Sequence, residues 1–223
     1  MSRLSRLAGS AILAAGLMGG AVRTAQAATD QQNLIERARM TVEDVYKDKA
    51  FGNAPDLVHR ARAVLIVPRL YKGGFFVGGE GGEGVLMARN AHSWSQPAFY
   101  AIGSASFGLQ IGLEQSEVVM FIMSQKALDA VMRNEFKFGA NAGLAVVTLG
   151  SGVGAATTSA LGADIVVWAS SSGAYAGITL DGSVIKPSPQ ADRDFYGRPL
   201  TTRQILHDAP MAVGTGSLRA ALG

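Results

Sequence analysis

Cysteine is absent from this chain, which rules out a disulfide framework, a catalytic or zinc-binding thiolate and a lipidated N-terminal cysteine. Histidine is scarce as well. His59, His92 and His207 lie too far apart for the short spacings of a metal site, so neither a metal nor a cofactor is expected. No GxSxG nucleophile elbow occurs. Two glycine runs imitate nucleotide loops. Gly79-Glu80-Gly81-Gly82-Glu83-Gly84 formally matches GxGxxG, yet strand-like Val85-Leu86-Met87 follows where a helix should open, and Glu80 and Glu83 would repel phosphate. A glycine-rich turn between strands is expected there. Gly150-Ser151-Gly152-Val153-Gly154 lacks the Lys-Ser/Thr of a phosphate loop. The carboxylate pairs Glu80/Glu83 and Glu114/Glu117 sit at turns or strand ends and read as solvated charge. Convergence of His92, Glu80 and Glu114 in one pocket would be needed to support an enzyme. The chain is read as noncatalytic.

What is present begins with a leader pattern. Arg3 and Arg6 precede an uncharged apolar stretch from Leu7 to Val22, followed by Ala25-Gln26-Ala27. That order is a secretory signal peptide over residues 1–27, and the stretch is too short and too rich in Gly and Ala for a membrane anchor. An exported, periplasmic or secreted protein is expected, peripheral on a membrane if the fold itself binds one. Loss of Arg3, Arg6 and Arg23 would reduce the 20 basic residues to equality with the 17 acidic ones. Nucleic acid is therefore not an expected partner, and only a local basic patch can attract an anionic surface.

Residues 28–209 read as one domain, and 210–223 as a flexible tail on the strength of Pro210, Gly214, Gly216 and Gly223. From Asp30 to Lys47 the apolar positions Leu34, Ala38, Val42 and Val45 recur at helical spacing, with Thr29 or Asp30 as N-cap. That stripe can pack on a sheet or enter a membrane interface. A short helix is expected from Pro55. Ala63 to Val67 reads as a buried strand stopped by Pro68. Val85–Ala88 and Phe99–Ile102 read as a hairpin, and Phe107 to Leu113 as a half-buried strand of period two. Val118 to Met123 is a further apolar run, after which Ser124 caps a helix ending near Asn134. Phe136 to Ala142 alternates as a strand. Ile165 to Ile185 reads as a meander through Ser172-Gly173 and Asp181-Gly182 turns. Gly139 to Ala163 carries no charge, but its many glycines and threonines argue against a membrane helix. A transmembrane β-barrel fits less well than a globular fold, given the helices and the continuous apolar runs. The expected class is α+β: a mainly antiparallel sheet in a barrel-like or sandwich core, with the N-terminal helices packed across one end.

Arg60, Arg62, Arg69 and Lys72, with Tyr71 among them, form the longest acid-free basic stretch, from Asp56 to Glu80. Basic groups beside an amphipathic tyrosine suit a lipid headgroup, so these five are the candidate lipid-binding residues. Their plainer reading is a solvated strand rim.

The run from Pro68 through Arg69-Leu70-Tyr71-Lys72-Gly73-Gly74-Phe75-Phe76-Val77-Gly78-Gly79 to Leu86 resembles the signature of SYLF (Ysc84-like) domains. Trp94 to Ala98, Phe107 to Gly112, Gly173 to Gly182 and Phe195-Tyr196-Gly197 follow in the family's order, so the resemblance covers about Leu34 to Leu206. It implies a phospholipid-binding module. Eukaryotic relatives prefer phosphoinositides and act with actin-linked adaptors through other domains. For an exported bacterial protein the resemblance implies an anionic phospholipid or membrane surface as partner, with no actin expected. An envelope protein partner is the alternative. Two departures bear on the headgroup: Ser151 stands in a turn that carries Pro and Arg in the family, and Ser170-Ser171-Ser172 lacks the family's basic residue.

Overall fold

The computed structural model describes residues 28–49, 51, 54–74, 77–91, 93–107, 112–133, 135–140, 143–150, 162–172, 180 and 182–223. The leader pattern, His92, Ser151 and the Tyr175 segment lie outside the described residues. Helix α1 covers residues 28–47, so Thr29 and Asp30 lie inside it and do not cap it. Its stripe Leu34, Ile35, Ala38, Val42 and Val45 is buried in the core. Burial of each large apolar side chain contributes about 1.5–3 kcal/mol, which binds the helix to the sheet. The stripe is thus occupied by packing. Helix α2 (Ala54–Arg60) follows, with Pro55 in its first turn where a missing N–H costs nothing.

Eight strands form one sheet: β1 (Ala63–Gly74), β2 (Val77–Ala88), β3 (Ala98–Phe107), β4 (Gly112–Ile122), β5 (Phe136–Lys137), β6 (Val146–Gly150), β7 (Ile165–Ser172) and β8 (Val184–Pro187). Their order is β5-β8-β3-β2-β1-β4-β7-β6, antiparallel except for β6 with β7. Among the described residues the two edges do not pair with each other and no second sheet is present, so the barrel-like sheet is open. Alternation along each strand gives it two apolar faces. One carries Val64, Ile66, Val85, Met87, Val119, Phe121 and Trp168 beneath α1 and α2. The other carries Leu65, Val67, Leu86, Tyr100, Met120 and Val167 beneath α3 (Gln125–Val131) and the helix Thr202–Asp208. Ser124 caps α3, its hydroxyl accepting from the Ala127 N–H. No helix among the described residues is long and apolar enough to cross a membrane.

Several local expectations are corrected. Pro68 does not stop β1. The strand runs on to Gly74 through a bulge, where register with β2 shifts between Ile66 and Arg69 and register with β4 between Val67 and Leu70. A bulge is where a central strand can hold a residue with no N–H to donate. The glycine run Gly78 to Gly84 is not a turn but the middle of β2, because it lies against this bulge. Phe107 and Leu113 belong to β3 and β4, strands separated by β2 and β1. Likewise β7 lies between β4 and β6 and β8 between β3 and β5, so neither strand is left an edge for the meander expected over Ile165 to Ile185, whose middle, Tyr175 to Thr179, lies outside the described residues. After Lys137 the chain leaves the β5 strand for a turn.

Three further helices complete the chain: α4 (Pro189–Tyr196), α5 (Thr202–Asp208) and α6 (Gly216–Leu222). Helix α4 is stitched to β3 at one residue: Ser188 N–H donates to Phe99 O at 2.8 Å and Phe99 N–H donates to Asp192 Oδ1 at 2.9 Å. Within residues 210–223, expected as a flexible tail, the part from Thr215 to Leu222 is anchored on the body. Leu218 and Leu222 are buried in the core, and Trp94 Nε1 donates to Leu222 O at 3.1 Å. Arg219 Nε donates back to Trp94 O at 2.9 Å.

Candidate functional site

The bulge at Pro68 decides which side chains of β1 look which way. Plain alternation from Ile66 would bring Leu70 and Lys72 to the α1 face. One extra residue reverses this, so Arg69 and Tyr71 stand on the α1 face opposite Glu83 and Gly81 of β2, while Leu70 and Lys72 look to the other side.

Around Arg69 and Tyr71 the α1 face is made of small residues. Gly79 and Gly81 come from β2, Gly103 from β3, Ser170 and Ser172 from β7. Gly79, Gly81, Gly103 and Ser170 are partly or fully exposed, and a Cβ on Gly81 would meet only open space. Tyr71 is 51% exposed, and Arg69 and Glu83 are exposed beside it. Helix α1 borders this end. Its Thr41 hydroxyl donates to Glu117 Oε1 at 2.7 Å, and Asp48 at its far end accepts from Trp168 Nε1 at 2.9 Å. Burial pushes the Glu117 carboxyl above its ordinary range, partly offset by the Thr41 hydrogen bond. The arrangement is an open shelf: a polar, low-relief floor, one guanidinium, one amphipathic ring and two flanking carboxylates, Glu83 and the Thr41-bound Glu117.

The five candidate lipid-binding residues do not converge. Arg60 ends α2 and Arg62 precedes β1, its N–H bonded to Ile122 O at 2.8 Å. At about 3.3 Å per residue they stand roughly 20 Å along the strand from Arg69. Lys72 points to the opposite face, between Glu80 and Glu114 as its cross-strand partners. Glu80 is buried and accepts from the Ser183 hydroxyl, and Glu114 accepts from Ser116 Oγ at 3.3 Å. Thus Arg69 and Tyr71 share a surface while Arg60, Arg62 and Lys72 lie elsewhere. Glu80 and Glu114 do share a face, but Lys72 lies between them, and His92 lies outside the described residues. No group of three His, Asp or Glu among the described residues could hold a metal ion. The shelf's glycine floor was readable in the sequence as the alternation Gly79, Gly81, Glu83, once that run is taken as strand.

The sequence model of the Ysc84 family, described as "Las17-binding protein actin regulator", matches residues 103–223, more than half of the chain. The chain belongs to the Ysc84 family. It is 31% identical over 177 residues to LAS seventeen-binding protein 3 of Saccharomyces cerevisiae, covering 76% of this chain and 38% of that protein. To Protein YSC84 of the same yeast it is 31% identical over 156 residues, 68% of this chain and 33% of the relative. To the human SH3 domain-containing YSC84-like protein 1 it is 28% identical over 161 residues, 69% of this chain and 47% of the relative. This Ysc84-family chain therefore spans less than half the length of these curated relatives. The exclusion of actin as a partner does not stand, because the family's description is that of an actin regulator and a yeast relative is named for binding LAS seventeen. The family supports a membrane-binding or interaction role, and these relatives are named for what they bind or contain, not for a reaction.

Proposed function

We propose that this Ysc84-family chain is a noncatalytic phospholipid-binding module that meets anionic membrane surfaces with the Arg69–Tyr71 shelf. The observation that carries the reading is an exposed tyrosine and an exposed arginine side by side on a floor of glycine and serine. A phospholipid interface favours that pair, since the ring accepts an apolar and a wet side at once and the guanidinium adds about 1 kcal/mol near an anionic surface. Glu83 beside Arg69 moderates the attraction, which suits reversible binding. Insertion of α1 is not part of the reading, because its stripe is spent in the core. Arg60 and Arg62 would act as a separate, weaker point of attraction. The setting we propose is the bacterial cell envelope, reached by export. A second reading is favoured by the relatives' names: a protein partner of the actin-regulating machinery could use the same shelf.

Flotation of the full chain with neutral and anionic vesicles tests the first reading. Binding to anionic vesicles is expected, weakening as salt screens the charge. Arg69→Glu combined with Tyr71→Ser should reduce the bound fraction constant at least tenfold, as reversal of one charge costs about 2 kcal/mol in this setting. Arg60→Glu with Arg62→Glu should weaken it only a few-fold. Failure to bind any vesicle, or full binding by the Arg69/Tyr71 variant, would move the assignment to the protein-partner reading.

A further inference from the structure

On the side of the sheet away from the shelf, a cleft of about 450 Å³ opens between the end of α3 and the starts of α4 and α5. Its size falls within the range of small-ligand sites. Arg133, just past α3, and Arg203, in the first turn of α5, both line it. Both are exposed, and neither forms an ion pair among the described residues, where the ion pairs are Arg39 with Glu36 and Glu43, and Lys47 with Asp44. Two such guanidinium groups in one concavity suit a phosphate, which each can hold through paired N–H donors.

The same cleft is lined by a carboxylate of a different kind. Asp192 is 1% exposed. One of its oxygens accepts from Phe99 N–H, and among the described residues no hydrogen-bond donor reaches the other. The neighbouring hydroxyl donors are committed elsewhere, Tyr100 to Val131 O at 3.2 Å and Tyr196 to Pro97 O at 2.7 Å. A buried acceptor with spare capacity calls for a donor from outside the fold. Asp129, also in the lining, accepts from Gln125 Nε2 at 3.0 Å. Met132 and Leu200 supply apolar wall between the charged groups.

We propose that this cleft binds a small phosphorylated amine of the phosphoethanolamine class, its phosphate held by Arg133 and Arg203 and its ammonium directed to Asp192. An anion alone would leave the carboxylate unanswered, and a cation alone would face both arginines. The site is independent of the shelf, and its ligand can be a free phosphate ester or the headgroup of a lipid.

Calorimetric titration of the full chain with O-phosphoethanolamine, inorganic phosphate and ethanolamine tests the assignment. Saturable binding of phosphoethanolamine is expected, with Arg133→Gln and Arg203→Gln each weakening it at least tenfold. Both residues are exposed, so the variants should keep the parent's circular dichroism. Asp192→Asn should weaken phosphoethanolamine while leaving inorganic phosphate unchanged. Vesicles with and without phosphatidylethanolamine, presented to the Arg69→Glu, Tyr71→Ser variant, separate the sources. Retention only on vesicles that carry the headgroup upholds the site with a lipid ligand; binding of the soluble ester without such retention upholds it with a free one. Absence of saturable binding in the millimolar range, equal binding of inorganic phosphate and phosphoethanolamine, or unaltered binding by the two arginine variants overturns it.

Discussion

Gly84→Ala and Gly82→Ala are each expected to lower the melting temperature by about 10 °C, whereas Gly81→Ala, in the same run of β2, leaves it unchanged or slightly higher. The contrast follows from what a methyl group would meet. At Gly84 it would lie 2.6 Å from the Ile66 carbonyl oxygen and 2.9 Å from Val67 Cγ2, and at Gly82 it would lie 2.5 Å from the Arg69 carbonyl oxygen. The two carbonyl oxygens are backbone atoms on either side of the Pro68 bulge, in a strand fixed by neighbours on each side. Relief requires the bulge itself to move, at a cost of about 3 kcal/mol or more. Gly81 projects into open space, where alanine only reduces the entropy lost on folding. Thermal denaturation of the three variants checks this. Equal melting temperatures would mean that the bulge is not packed on β2 as described.

The second large effect concerns pH. Burial pushes the Asp192 carboxyl up to about 7, against the opposing pull of its bond from Phe99 N–H. Below about pH 4 the group is protonated in folded and unfolded chains alike, and it makes no difference. Between about 4 and 7 the unfolded chain gives up this proton while the folded one keeps it, so this group makes stability fall as pH rises. Above about 7 the full cost is present, on the order of a few kcal/mol. Asp192→Asn retains an oxygen to accept from Phe99 and does not ionise. Urea denaturation at pH 4 and pH 8 should show the variant gaining on the parent by a few kcal/mol over that interval. Parallel pH profiles for the two proteins would contradict it.

Much of the fold could be read along the chain, because local signals and core burial agree. The 3.6-residue stripe of α1, the Ser124 cap and the β2–β3 hairpin all depend on residues close in sequence. Pairing order does not. Nothing in Ile165 to Ile185 tells that β7 joins β4 while β8 crosses to β3, since that choice is made by strands far away. Helices α4 and α5 carry local signals of their own: Pro189 follows Ser188, Gly197 takes the left-handed conformation that ends α4, and Thr201 with Gln204 forms a capping box. Glycines in the tail hid the anchor at Leu218 and Leu222.

The candidate site was readable by half. Arg69 and Tyr71 are two residues apart and share a face whatever the register. Arg60, Arg62 and Lys72 looked clustered because a strand puts sequence neighbours in line, not in a group, and a bulge turns Lys72 away. The cleft at Arg133 and Arg203 was not readable at all, since seventy residues of chain separate its walls and only tertiary packing joins them.

The most direct test of the lipid-binding reading is Tyr71→Trp fluorescence with vesicles whose acyl chains carry bromine. The native reporters Trp94 and Trp168 are 1% and 2% exposed, so the signal from position 71 stands apart from theirs. Blue-shifted emission at position 71, quenched by bromine on anionic vesicles and restored by high salt, is the predicted result. Vesicle binding with the emission of residue 71 unshifted and unquenched would place the membrane contact on another surface and contradict the account.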